Sequence, residues 1–347
     1  MAPIVRELRR REIPCLVCVT GQHREILDQA LKSLDIGPAD DLNLMASNQS
    51  LGESASTQIA ALTRYFDEHR PSMVLVQGDT TAAFSAALAA FYAKIRIGHV
   101  EAGLRTWNRN MPWPEEIHRV LISRMADIHF APTSQAVLNL KAEGVNPDHI
   151  IHSGNTIVDS LKTTIEELKL NPNSWHEMQA ESMRPLVLIT CHRRESFGGG
   201  IASICLAIRN LAYKFSDVTF VLPAHPNPNV RAVLDQFTFP QNVCVMAPLD
   251  YHAFISFLSR AVLVMTDSGG VQEEAVSLGK PLLVLRDTTE RHEAVDAGVA
   301  KLVGLDYRRI AGEAAAVLTQ PFDKTASSIY GDGTAAVKIV NAISDAN

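Results

Sequence analysis

The stretch AVLVMTDSGGVQEEA, residues 261–275, decides how the rest of the chain reads. Ala261 to Met265 is an unbroken apolar run of the kind buried on both faces of a parallel sheet. It stops at Asp267-Ser268-Gly269-Gly270, and helix-forming residues follow. Two glycines at a strand-to-helix turn let backbone N–H groups approach a ligand closely. The helix N-terminus adds unpaired donors and a positive dipole end, so the turn suits a phosphate. Glu273 and Glu274 lie about one turn in, where a carboxylate can accept hydrogen bonds from ribose hydroxyls. The pattern is not GxGxxG, so it does not read as a site for NAD. Taken alone, the stretch fits an ordinary capped βα turn equally well.

Outward from this stretch, short β-rich runs alternate with helical patterns. The candidate strands are Pro14–Val19, Met73–Gln77, Ile95–Val100, Ile128–Ala131, Leu186–Thr190, Thr219–Leu222, Val243–Met246, Val262–Thr266, Leu282–Leu285 and Lys301–Val303. Between them lie helical patterns such as Arg24–Leu34, Ser54–His69, Ala82–Tyr92, Gly200–Phe215 and Arg308–Leu318. Near-continuous apolar strands alternating with helices predict an α/β fold with parallel sheets covered on both faces. Leu170–Arg184 is polar and turn-rich, and a fresh strand begins after Pro185. The chain therefore reads as two doubly wound, Rossmann-like domains joined near residues 155–185. Ligands of such sheets sit at the carboxyl ends of strands, which places the expected site in a cleft between the domains.

Composition narrows the function classes. A chain of 347 residues is long for one core, and 46% hydrophobic with 20% charged residues is ordinary for a soluble protein. The net charge of −6 gives no basic surface for nucleic acid, and Arg9-Arg10-Arg11 fits the solvated face of a helix. Five cysteines without a secretory signal fit a reducing cytosol. Cys15 and Cys18 form a CxxC, but a strand sends residues three apart to opposite faces, which argues against a redox or zinc pair. No apolar run reaches the roughly 20 residues that a membrane helix needs. Metal-ligand spacing, a P-loop and a GxSxG elbow are all absent from the sequence, so no metal or cofactor is expected.

Candidate chemistry gathers at predicted strand ends. Asp79 follows the strand MVLVQ in Gly78-Asp79-Thr80-Thr81, and spacing alone favours it as a helix N-cap. Glu101 closes the next strand beside Gly103, where packing does not account for a glutamate; Arg105 can pair with Glu101 or meet a phosphate. Glu115 and Glu116 open a helix behind Pro114, about 100° apart, so at most one faces a cleft while the other complements the helix dipole. Thr190-Cys191-His192-Arg193-Arg194 offers a histidine with two arginines suited to a diphosphate. His225 sits in a proline-rich turn, and Arg286 to Arg291 is placed to fold over a nucleotide. This inventory points to acid/base or group-transfer work on a nucleotide-activated substrate.

Taken together and in order, these segments closely resemble the non-hydrolysing UDP-N-acetylglucosamine 2-epimerases. The matching residues are QHREILDQ (22–29), VQGDTT (76–81), GHVEAGLRT (98–106), PWPEE (112–116), SGNT (153–156), CHRRESFG (191–198), HPNP (225–228), TDSGGVQEEA (266–275), LRDTTER (285–291) and YGDG (330–333). The resemblance implies a fold of the glycosyltransferase-B type, with residues 1–160 and a returning C-terminal helix, 331–347, forming the first domain. Residues 161–330 then form the UDP-binding domain. It implies a homodimeric, cytoplasmic, bacterial enzyme serving cell-surface polysaccharide synthesis without a cofactor. The implied reaction interconverts UDP-N-acetylglucosamine and UDP-N-acetylmannosamine. UDP is eliminated across C1–C2 to give 2-acetamidoglucal and then re-added with protonation from the opposite face. By motif match, Asp79, Glu101, Glu115 and His192 occupy catalytic positions, with the base and acid roles open. Ser268, Gly269, Gly270, Glu274 and Arg291 match the UDP site, with Glu274 on the ribose. Gln22, Glu25 and His225 match positions where some members bind a second, activating UDP-sugar.

The resemblance departs at the start. Members open with a strand and a Gly-Thr-Arg-Pro-Glu-Ala segment carrying an active-site arginine and, shortly after, a lysine. This chain begins Met1-Ala-Pro-Ile-Val, which matches the helix that follows. The resemblance thus implies that the first strand of the first domain is missing here, and that strand is expected to be central in a doubly wound sheet. The expectation is a true start upstream and a chain of lowered stability and activity as it stands. Two other readings share the turn: a UDP-sugar transferase of the same fold, and a non-catalytic UDP-sugar-binding protein. A hydrolysing variant that releases N-acetylmannosamine shares the elimination step.

Overall fold

The computed structural model describes residues 1–21, 31, 36, 40–44, 49–170, 184–191, 199–225, 227–320 and 328–345. The chain divides into two compact units, Met1–Ser160 with Tyr330–Asn347, and Leu161–Ile329.

In the first unit, helix α1 (Ala2–Arg10) precedes two short strands, β1 (Cys18–Val19) and β2 (Asp40–Asp41). Then come α2 (Leu51–His69), β3 (Met73–Gln77), α3 (Thr81–Tyr92), β4 (Arg96–Val100), α4 (Glu115–Met125), β5 (Ile128–Ala131), α5 (Ser134–Ala142), β6 (Ile150–His152) and α6 (Thr156–Leu170), which runs into the second unit. Strands β3-β4-β5-β6 form one parallel sheet in that order, and β1-β2 form a separate parallel pair. The sequence reading does not mark β2 or β6; Ile150-Ile151-His152 is too short to show a period. Capping explains where α2 begins: Ser50 Oγ accepts from Glu53 N at 3.2 Å while Glu53 accepts from Ser50 N at 2.8 Å. The last helix, α13 (Ala335–Asp345), packs with α1, and its Ile339 and Val340 join Ile4, Leu8, Val100 and Phe130 in one core. Asp159 fastens that helix, accepting from Ala336 N at 2.9 Å and Ala335 N at 3.2 Å. Burial holds the Asp159 carboxyl above the ordinary carboxylate range.

The second unit contains β7 (Leu186–Thr190), α7 (Gly199–Lys214), β8 (Thr219–Pro223), α8 (Pro228–Leu234), β9 (Val243–Met246), α9 (Tyr251–Arg260), β10 (Ala261–Thr266), α10 (Gly269–Ser277), β11 (Leu282–Val284), α11 (His292–Asp296), β12 (Ala300–Leu302) and α12 (Tyr307–Thr319). Its six parallel strands run β12-β11-β10-β7-β8-β9. This is the doubly wound order, and the winding reverses between β7 and β10. Val187, Leu188 and Ile189 on β7 and Leu263, Val264 and Met265 on β10 are fully buried, which is why both strands read as unbroken apolar runs. Each such side chain contributes about 1.5–3 kcal/mol on burial. Among the described residues no helix is long and apolar enough to cross a membrane.

Candidate active site

In the first unit the candidate groups stand at the carboxyl ends of β3 and β4. Glu101 follows β4 with φ of +62°, a left-handed conformation that costs a non-glycine residue of order 1–3 kcal/mol. The fold enforces it: Ala102 N donates to Phe130 O at 3.0 Å on one side, and Gly78 N donates to Val100 O at 3.0 Å on the other. Gly103 completes the turn, since a Cβ there would lie 2.4 Å from Ala136 O. Gln77, at the end of β3, donates from Nε2 to Glu101 Oε2 at 3.2 Å. His99, buried beneath, has its Nε2 2.9 Å from Gly78 O, and burial holds its imidazole down at about 3. It is therefore neutral and supports the turn.

Asp79 does not cap the following helix. Thr80 does, accepting from Ala83 N at 3.1 Å, because Asp79 is turned towards α4. There its carboxylate forms an ion pair with Arg119 Nη2, and its carbonyl oxygen lies 2.9 Å from His118 Nδ1. His118 stacks on Phe84 at 5.0 Å. Arg105 likewise leaves both roles open to it unfilled. Buried to 1% exposure, it grips Glu143 through Nε at 2.6 Å and Nη2 at 2.8 Å, and bonds Ser123 Oγ at 3.0 Å. Two carboxylate bonds from one guanidinium fix the loop after β4 to the end of α5.

The adjacent glutamates divide. Glu115 is the first residue of α4, half-buried, and its carboxylate makes no hydrogen bond or ion pair among the described residues. Glu116 is buried and accepts from the amides of Thr106 and Trp107 while pairing with Arg119. Arg119 is the neighbour of these groups that the sequence reading passed over, and Glu116 does more than complement the helix dipole. The i,i+3 spacing from Glu116 to Arg119 was the available signal, because it puts both on one helix face.

In the second unit the switch point carries the turn. Thr190 and Thr266, last residues of β7 and β10, share a hydroxyl–hydroxyl hydrogen bond of 2.5 Å, and Ser268 N donates to Thr266 Oγ1 at 2.9 Å. Ser268 is the N-cap of α10 but makes no side-chain cap bond, so its hydroxyl is not spent on the helix. Gly269 is required: a Cβ would lie 2.6 Å from Arg291 Nη1 and 2.8 Å from Cζ. Arg291 is buried, and its guanidinium bonds Glu273 through Nε at 2.6 Å and Glu290 through Nη1. Arg286 Nη1 donates to Glu290 at 3.1 Å, and Thr289 Oγ1 to Gln272 at 3.0 Å. The segment after β11 is thus stapled onto α10 rather than lying open as a flap, because two arginines and two glutamates neutralise one another there. Glu274, 3% exposed, accepts from Tyr251 Oη at 2.8 Å. Burial pushes its carboxyl up to about 7, against the pull of the Tyr251 bond, and burial followed by the Glu274 charge pushes the Tyr251 phenol up.

Gln22, Glu25 and His192 lie outside the described residues. His225 is half-buried, and its Nδ1 accepts from Asn227 N at 3.2 Å within its own turn. Among the described residues no group of three His, Cys, Asp or Glu side chains is placed to hold a metal. Cys15 and Cys18 are unbridged, and burial, with Asp40 and Asp41 nearby, pushes the Cys18 thiol up to about 11.

Comparison with known proteins agrees across the whole chain. Residues 6–344 match the family described as UDP-N-acetylglucosamine 2-epimerase. The chain is 45% identical over 346 residues to the UDP-N-acetylglucosamine 2-epimerase of Bacillus subtilis (strain 168), covering 98% of this chain and 90% of that one. A crystal structure of the Neisseria meningitidis UDP-GlcNAc 2-epimerase bound to UDP-GlcNAc superposes with a TM-score of 0.95 at 44% identity, covering 99% of this chain and 96% of that one. That of Methanocaldococcus jannaschii, in complex with UDP-GlcNAc and UDP, gives 0.88 at 30% identity, with 99% and 95% coverage.

Proposed function

The chain belongs to the UDP-N-acetylglucosamine 2-epimerase family, and from that premise we propose that it interconverts UDP-N-acetylglucosamine and UDP-N-acetylmannosamine by elimination and re-addition of UDP. The observation that carries the mechanism is the gathering of carboxylates at the ends of β3 and β4, with Asp79 paired to Arg119 and Glu101 held in a left-handed backbone. A carboxylate removes the weakly acidic C2 proton, the C1–O bond breaks with its electron pair leaving on UDP, and a C1–C2 double bond forms. UDP adds back at C1 while a protonated group delivers hydrogen to the opposite face of C2. Asp79, Glu101, Glu115 and His192 are the groups assigned to these transfers.

The turn of the second unit suits the nucleotide. The N-terminus of α10 with Ser268, Gly269 and Gly270 receives the diphosphate, and Glu274 receives the ribose hydroxyls. Arg291 is assigned to the same UDP site, where its packing against Gly269 also holds the turn in shape. Gln22, Glu25 and His225 remain assigned to a second, activating UDP-sugar. The enzyme is a homodimer in this reading; Ile117 and Leu121, exposed one turn apart on α4 beside exposed Trp113, offer an apolar face for a second copy. Five unbridged cysteines agree with a cytoplasmic setting.

Incubation with UDP-N-acetylglucosamine in D2O tests the reaction. The expected result is deuterium at C2 in both epimers, with 2-acetamidoglucal and UDP trapped on quenching. A product without deuterium at C2, or turnover only with an added sugar acceptor, refutes it in favour of a transferase.

A further inference from the structure

Glu116 stands next to Glu115, yet everything it touches lies elsewhere. Its two carboxylate oxygens each accept from Thr106 N at 3.0 Å, and Oε1 also accepts from Trp107 N at 2.8 Å. Oε2 lies 3.4 Å from Arg119 Nη1. The other end of that guanidinium, Nη2, is the one paired with Asp79. A glutamate in the first turn of a helix ordinarily does no more than complement the dipole. This one is buried at 3% exposure, and its partners are two amides of a loop outside the helix and a buried arginine.

The loop it holds is the continuation of Glu101. Trp107 has φ of +61° and an exposed indole, so packing of the side chain does not impose that conformation. The bond from its amide to Glu116 is what the structure supplies instead. One carboxylate therefore joins three segments: the loop after Glu101, the helix that opens with Glu115, and the arginine that grips Asp79.

We propose that Glu116 is a positioning residue for C2 inversion, setting Asp79 through Arg119 while locking the Glu101 loop to the start of α4. It touches no reacting atom; it fixes the relative placement of the three carboxylates. The inference rests on the epimerase reading above. A proton-transfer site is sensitive to such placement, because a displacement of about 1 Å can cost about 100-fold in rate.

Glu116→Gln tests it, since the amide oxygen still accepts from Thr106 and Trp107 while the charge facing Arg119 is lost. The readouts are deuterium exchange at C2, steady-state kcat and KM for UDP-N-acetylglucosamine, and Kd for UDP. The expected result is a fall of about 10- to 100-fold in kcat and in exchange rate, with KM and UDP Kd changed less than about 3-fold. Arg119→Lys keeps a positive charge but cannot bridge both carboxylates, and it falls similarly. The double variant falls little further, because the two residues act as one unit. Wild-type kcat in Glu116→Gln, a change confined to KM, or losses that multiply in the double variant would overturn the proposal. Should Glu116→Gln fail to fold by circular dichroism, Arg119→Lys decides alone, and full kcat there overturns it. If the wild-type chain itself shows no exchange, the epimerase reading fails; exchange that survives undiminished in Glu116→Gln sinks only this inference.

Discussion

Gly269→Ala is the substitution whose cost follows most directly from the structure. The added methyl would sit 2.6 Å from Arg291 Nη1, 2.8 Å from Cζ and 3.0 Å from Nη2, against an ordinary carbon–nitrogen contact of at least 3.4 Å. The guanidinium must withdraw by the better part of an ångström, and it is pinned by Glu273 at 2.6 Å and by Glu290. Overpacking of this kind costs about 1–3 kcal/mol, and outright rupture of a buried ion pair about 3–5 kcal/mol. Alanine returns about 0.4–1 kcal/mol by restricting the unfolded chain. The net loss is about 1–2 kcal/mol if the network bends, or a fall of about 2–8 °C in Tm for a unit of this size, and more if it breaks. UDP affinity should drop about 10-fold or more, since the turn proposed to receive the diphosphate has to move. Gly312→Ala is the control. That glycine lies inside α12 with nothing within 4 Å of a new Cβ, so the same change there raises Tm by about 1–3 °C. Differential scanning calorimetry and isothermal titration with UDP give both quantities. A Gly269→Ala protein that melts at or above wild type and binds UDP within 2-fold refutes the account.

Glu274 sets a pH dependence. Its folded value of about 7 exceeds the ordinary glutamate value of 4.5, so the folded state holds a proton that the unfolded chain releases between those limits. Its contribution is full below about 4.5 and is lost as pH rises through about 7, worth about 3 kcal/mol in all; Glu274→Gln should flatten that fall in urea titrations run from pH 5 to 8. Tyr251→Phe removes the phenolic donor to Glu274 and should weaken UDP binding about 10-fold at pH 7.5, read by calorimetry, with unchanged affinity counting against the ribose assignment. Asp159→Ala strips two amides at the start of α13 of their acceptor and should cost about 1–2 kcal/mol. Hydrogen exchange concentrated in residues 335–345 would check it, and protection equal to wild type would contradict it. Arg105→Met leaves the part-buried Glu143 without its bidentate partner and should cost about 2–4 kcal/mol in chemical denaturation; a loss under about 1 kcal/mol would show that the pair is not structural.

Residue patterns alone determined the α/β class, because residues 187–189 of β7 and 263–265 of β10 are buried on both faces and a strand in that setting must be apolar. They determined the strand-to-helix turn at residues 267–270 as well, since a strand end, two glycines and a helix start are consecutive in the chain. What the pattern could not supply were partners brought together from afar. Asp79 looked like a cap because capping is local; its pairing with Arg119, 40 residues on, exists only once α4 lies against the end of β3. Arg105 looked free for a phosphate until α5 delivered Glu143 from 38 residues away. The two glutamates after Pro114 are interchangeable in sequence, and only the fold turns Glu116 inward onto the loop and leaves Glu115 without a partner among the described residues. Local hydrogen bonds and periodicity are written along the chain, whereas the pairing of buried charges depends on which elements pack, and that is decided in three dimensions.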